Sequence, residues 1–353
     1  MNGLLFRKGV RSEARHLRPL AIALMLALPA AAFAQSSAER DREREQARIE
    51  RDRETRQRNI ERAQERAERD RERAQERAER ERAGSLDTTV AFDARGAVTV
   101  TCPGGSVTVT GSSLNEIRVH ARTENGAIRF SSSGTRATLE PASGRGCSDG
   151  QFDVTVPAGA RVIAGTWSGS VTVRNVHGEI DVHSQSGDVD VRDAGDRLDV
   201  ETLSGGVSVS GVRGESNIHT ISGDLTLSGA RGNVVVETVS GDLDLRDVIA
   251  KQVRTHTTSG EVTFQGPIIE GGRYEFNTHS GGIGLDLPPD IGAELSIATF
   301  SGGIESDFPI TLTMGTHGIG AARAKRLTFT VGRGTARIVA ETFSGDITLR
   351  RHR

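Results

Sequence analysis

"HTISGDLTLSGARGNVVVETVSGDLDL" (His219–Leu245) states one phrase twice: Ser-Gly-Asp-Leu-x-Leu begins at Ser222 and again at Ser240. Followed outward, the Ser-Gly step falls at Ser168, Ser186, Ser204, Ser222, Ser240, Ser259, Ser280, Ser301 and Ser344, with spacings of 18, 18, 18, 18, 19, 21, 21 and 43. A fixed period of this size marks a solenoid, whose units bury a core only by stacking on one another. The last gap reads as two degenerate units.

Within one period, Val189 and Val191 alternate around Asp190, "RDAGDR" turns the chain, and Leu198 and Val200 alternate around Asp199 and Glu201. Two period-2 strands between Gly/Asp turns make a two-strand coil. Leu225, Leu227, Val234 and Val236 repeat the pattern. Longer coils place their extra residues at the far turn, in "QGPIIEGG" and "LPPDIGA". The expected class is therefore all-β: a β-solenoid with two short strands per coil of 18 to 21 residues, preceded by a charged α-helical segment. The Ser-Gly corner is expected to use glycine's permissive backbone and a serine hydroxyl that bonds locally. Residues 86–165 read as short strands forming an N-terminal cap. Residues 166–353 hold the repeats, and "RIVAETFSGDITLR" is expected to close the stack, since caps keep open edges from pairing with other chains.

The chain opens like an exported protein. Arg7, Lys8, Arg11, Arg15 and Arg18 precede the apolar "PLAIALMLALPAAAFA", which ends on the small-x-small triplet Ala32-Phe33-Ala34. Residues 1–34 are thus expected to be a cleavable signal peptide, with no transmembrane segment after cleavage. The expected location is periplasmic, secreted or at the cell surface. In an oxidising compartment Cys102 and Cys147 are disulfide candidates, two unpaired thiols being the alternative. A bridge would close about 46 residues and contribute about 4 kcal/mol in the chain-entropy model.

Residues 35–85 are an Arg/Glu-rich low-complexity spacer, helical or disordered. Positions 38–83 carry sixteen Arg and fifteen Asp/Glu with no Pro or Gly. "AQERAERDRER" and "AQERAERERA" repeat with a period of eleven, and Ile49 and Ile60 stand eleven apart. That seam is too thin for a strong coiled coil, so a solvated linker is preferred to an oligomerising stalk or an envelope-binding arm. The net charge of −2 conceals 24 basic against 31 acidic residues over 84–353. With one Trp and one Tyr in the chain, that acidity argues against nucleic-acid binding.

Three columns of side chains could carry chemistry. Asp188, Asp224, Asp242 and Asp346 follow the Ser-Gly step, with Glu261 once and Gly or Ser elsewhere. Exchange with Gly is turn chemistry. A calcium β-roll is the alternative, but Gly214-Glu215 and Gly232-Asn233 on the other side leave its ligand set incomplete. His183, Glu201, His219, Glu237 and His256 form an outward column that could hold Zn²⁺ or Cu²⁺ or respond to pH. With no third ligand at each step, cross-strand pairing is the preferred reading, and no cofactor is expected. Trp167, Leu203, Ile221, Val239, Phe300 and Phe343 precede the corner serines and are expected to fill the corner, an exposed stripe being the alternative. Paired acids such as Asp188 and Asp190 could serve a β-helical polysaccharide-acting enzyme. They recur as part of the repeat, so no enzyme is expected.

"VPAGARV" (156–162), "SGDVDV", "SGDLTL", "SGDLDL" and "ETFSGDITLR" resemble the bacterial putative-adhesin family of β-strand-repeat proteins, a domain family of unknown function. The resemblance covers roughly 86–353. It implies a β-solenoid and an envelope or surface location, and carries no catalytic or ligand residues. The function expected is a non-catalytic binding or scaffold protein of the envelope, adhesin-like, whose partner is a protein or polysaccharide.

Overall fold

The computed structural model describes residues 31–82, 84–124, 126–142, 147, 149–309 and 325–352. Residues 1–30, most of the expected signal peptide, lie outside them. The chain divides into two units, 1–73 and 74–353.

Ala31–Arg82 is a single helix of 52 residues, about 78 Å long at 1.5 Å per residue. Its sequence of strong helix formers explains the continuity. Glu54–Arg58 and Glu65–Arg69 pair along it at 3.0 and 3.2 Å, each contributing only a few tenths of a kcal/mol. Ile49 and Ile60 are 48% and 58% exposed. Among the described residues, no helix is long and apolar enough to cross a membrane.

The rest is a β-solenoid of two 13-stranded sheets. Each regular coil runs a long strand in one sheet, turns at Ser-Gly, and runs a four-residue strand in the other. Glu215–Ser222 and Leu225–Ser228 form one such coil, and both strands pair in parallel with the preceding and following coils. Registers align the corner serines directly, Ser186 on Ser204 on Ser222 on Ser240. Alternate residues face inward. Ile218, Leu225, Leu227, Val234 and Val236 are fully buried, and coils that could not fold alone thereby share one continuous core. The far turn contributes Val176, Ala194, Val212, Ala230 and Val248, all buried. The residue before each has positive φ: Asn175, Asp193, Gly211, Gly229 and Asp247. These are residue types that tolerate the left-handed region.

The corner has two requirements that only glycine meets. Gly187 has φ +140°, and a Cβ there would lie 2.0 Å from the Gly169 carbonyl oxygen of the preceding coil. The serine hydroxyl does not do the bonding expected of it. The corner serines face solvent, and the buried Thr two places earlier donates to corner carbonyls instead, as Thr202 does to Ser204 (3.3 Å) and Thr342 to Gly281 (3.0 Å). Thr220 and Thr257 in the same column have no hydrogen-bond partner among the described residues.

Stack order departs from chain order at both ends. Ala97–Thr101 and Gly105–Ser112 form a coil lying between the coil of Arg161–Arg174 and that of Arg136–Pro157. Cys102 and Cys147 occupy the Thr column of these two neighbouring coils, three residues before Gly105 and Gly150, which are in register. They are joined as a disulfide with Cα atoms 5.8 Å apart. At the other end, "RIVAETFSGDITLR" does not close the stack. Ala336–Ser344 and Ile347–Arg351 insert between the coils of Ser280 and Ser301. Within the long gap, Lys325–Val331 runs antiparallel beside Ala293–Ser301 and covers that edge; residues 310–324, where part of the expected degenerate units would fall, lie outside the described residues.

Candidate functional site

The acidic column is part of the scaffold. Asp188 Oδ1 accepts the backbone N–H of Gly206 at 2.9 Å, Asp224 that of Asp242 at 3.0 Å, Asp242 that of Glu261 at 2.8 Å and Asp346 that of Gly303 at 2.7 Å. Each carboxylate satisfies a corner donor of the next coil, which explains why a short acid recurs there. Asp190, the second member of the suggested acid pair, binds Arg192 at 3.0 Å. A shallow cleft of about 410 Å³ on the same sheet contains Asp242, Asp244 and Glu261. There Asp242 holds backbone and Asp244 holds Arg246 Nε at 2.9 Å. Asp242 and Asp244 are thus engaged with backbone and Arg.

The other sheet presents a more varied face. Its register sets Gly165, His183, Glu201, His219, Glu237, His256, Asn277, Glu341 and Ala298 in one row. His183 Nδ1 lies 3.2 Å from Glu201 and His219 Nδ1 3.3 Å from Glu237. These are side-by-side pairs of exposed groups. Among the described residues, no group of three or more His, Cys, Asp or Glu is placed to hold a metal ion.

Further from the corner, Asp199 receives Arg197 Nε at 2.6 Å and Asn217 Nδ2 at 2.8 Å. Burial pushes its carboxyl up. The hydrogen bonds from Arg197 and Asn217 and the charges of Arg197 and His219 outweigh that and hold it below 3.8. Hydrogen bonding to Asp181 and the charge of Glu179 raise the Arg161 guanidinium in turn.

The residues before the corner serines do not fill the corner. Trp167, Leu203, Ile221, Val239, Phe343 and Phe300 are 44% to 59% exposed. Thr and the inward strand residues already fill the interior, so these side chains project on the outer face beside the His/Glu row. In stack order the ladder reads Trp167, Gln185, Leu203, Ile221, Val239, Thr258, His279, Phe343, Phe300. Its far end is a ring stack. The His279 and Phe343 rings stack with centroids 4.9 Å apart and planes nearly parallel, as do Phe343 and Phe300 at 4.8 Å. Beside the stack is a cleft of about 380 Å³, lined on its polar side by His256, Asn277, Arg326 and Glu341. Arg326 bridges to Glu341 at 2.8 Å. Sequence reasoning could not find this stack, because Phe343 enters it from the far end of the chain.

A long parallel solenoid with an exposed ladder of large apolar side chains is a binding-type architecture. The chain belongs to the Toastrack family, DUF4097, which matches residues 104–350. Among solved structures it is similar to a protein of Parabacteroides distasonis described as a putative lipid binding protein: 8% identity, TM-score 0.42, covering 76% of this chain and 97% of that one. It is also similar to a putative adhesin of Bacteroides fragilis, at 11% identity and TM-score 0.38 over 75% and 96% of the two chains. A putative cell adhesion protein of Clostridium sporogenes matches at 9% identity and TM-score 0.24 over 76% and 100%. No curated protein matches.

Proposed function

We propose that this protein is exported and serves as a binding or scaffold protein of the bacterial envelope, holding an extended partner along the outer face of its longer-stranded sheet. The observation that carries the reading is the apolar ladder. Six large side chains stand about half exposed along one line of the solenoid, where a monomer without a partner gains nothing from displaying them. The basic, then apolar, then small-residue leader supports export. The Cys102–Cys147 bridge suits an oxidising compartment. The charged helix suits a spacer that sets the solenoid away from its attachment. A polysaccharide or an envelope protein both fit such a face.

Protease treatment of intact cells, compared with cells whose outer and then inner membranes are opened, tests this. Cleavage of the Arg-rich helix in intact cells supports a surface-displayed, adhesin-like role. Cleavage only after the outer membrane is opened supports a periplasmic scaffold. Protection until the inner membrane is breached overturns export and with it the envelope function.

A further inference from the structure

The ladder has a symmetry that its sequence order hides. Place a two-fold axis on the outer face, perpendicular to the solenoid axis and midway between the rungs of Ile221 and Val239. Ile221 then meets Val239 of a second copy, Leu203 meets Thr258, Gln185 meets His279 and Trp167 meets Phe343. Large faces large at the centre and at the Trp167–Phe343 end, Gln185 faces His279, and Leu203 faces Thr258. The neighbouring row obeys the same operator: His219 meets Glu237, Glu201 meets His256 and His183 meets Asn277. Because His219 and Glu237 already pair within one chain at 3.3 Å, their doubling gives a square of alternating donors and acceptors.

Other registers break this match. Moving the axis by half a rung sets histidine on histidine and glutamate on glutamate. Moving it a whole rung one way sets Gln185 against Val239, and the other way Glu201 against Glu341. A two-fold parallel to the solenoid and running along the ladder sets each ladder residue against its own copy, Ile221 on Ile221.

We infer that the ladder is an isologous interface at which two copies of this chain pair antiparallel, with Ile221 of each against Val239 of the other. An isologous contact requires that residue i meet j and j meet i; about this axis the His/Glu row supplies the complementary match and Ile221 and Val239 supply the apolar centre. Eight rungs at about 4.8 Å, two rows wide at about 7 Å per row, cover roughly 500 Å² a side. The total of about 1,000 Å² reaches the lower bound for a specific interface. The flanking histidines and glutamates form its polar rim. This contact is independent of where the protein resides, but it covers the same ladder, so dimer formation and capture of an extended envelope partner are mutually exclusive.

Sedimentation velocity of the purified full chain across micromolar concentrations should show a monomer–dimer equilibrium. The double variant Ile221→Glu/Val239→Glu should raise the dissociation constant by about a hundredfold or more, because each copy would bury uncompensated charge. Both sites are exposed, so the variant's melt should match the parent's. Under mild oxidation a mixture of Ile221→Cys and Val239→Cys chains should form a disulfide-linked dimer faster than either alone. A monomer at every concentration overturns the inference. So does a dimer that survives the double substitution and gives no mixed cross-link, as one held by the helix would. Preferential linking of Ile221→Cys to itself overturns the pairing of Ile221 with Val239.

Discussion

The carboxylate of Asp224 accepts the backbone N–H of Asp242, 3.0 Å away and eighteen residues on. The two occupy the same place in consecutive coils, so each repeat's acid is a cap for the next. Asp224→Ala removes the acceptor at a partly hydrated site and should cost about 1 kcal/mol in chemical denaturation. Asp224→Asn retains Oδ1 and should cost less than half as much. With these carboxylates serving backbone, neither chelator nor added calcium should move the melting temperature. A calcium-induced rise that disappears in Asp224→Ala would restore the β-roll reading.

At the corner itself, Gly223→Ala and Gly206→Ala form a matched pair. A Cβ on Gly223, at φ +135°, would lie 2.1 Å from the Gly205 carbonyl oxygen, whereas one on Gly206 would meet nothing closer than 3.5 Å. The first should cost about 3 kcal/mol and the second about zero. Equal effects on urea midpoints would show that the tight stacking of corners is not what selects glycine.

The disulfide should be a large single contributor. Cys102 and Cys147 are 45 residues apart, and cross-linking such a loop contributes about 4 kcal/mol by restricting the unfolded chain. Reduction, or the double Ser variant, should therefore lower the melting temperature with little change in far-ultraviolet circular dichroism below it. A melt insensitive to reductant would show that the pair does not bridge.

Much of this architecture is legible in the sequence because a solenoid translates sequence spacing directly into stacking. The eighteen-residue interval places Ser222 on Ser240 and His219 beside Glu237 before any coordinates are known. The logic fails where contact order leaves chain order. Nothing local says that Phe343 lies between His279 and Phe300, or that Ala97–Ser112 separates two later coils, because the backbone ladders accept any coil of matching shape. It also fails at the corner. Alternation predicts the side that Thr220 faces but is silent on Ile221, whose strand is about to turn. Burial resolves that case: the inward place is already taken by Thr.

The pH dependence of stability should carry a signature of Asp199. Its carboxyl is held below its ordinary value of 3.8 in the folded chain because the bonds from Arg197 and Asn217 outweigh burial. A depressed folded value means that the unfolded chain binds the proton more readily. The contribution is therefore complete above 3.8 and is lost as pH falls through the lower folded value. Thermal melts taken from neutral pH downward should show the parent losing stability below pH 3.8 more steeply than Asp199→Asn. At neutral pH the substitution should cost about 1 kcal/mol, since the group is partly exposed and its ion pair is screened. Parallel curves for parent and variant would show that the bonds from Arg197 and Asn217 do not favour the charged form. The rows of the outer face would then be held by backbone pairing alone, with their charges as passengers.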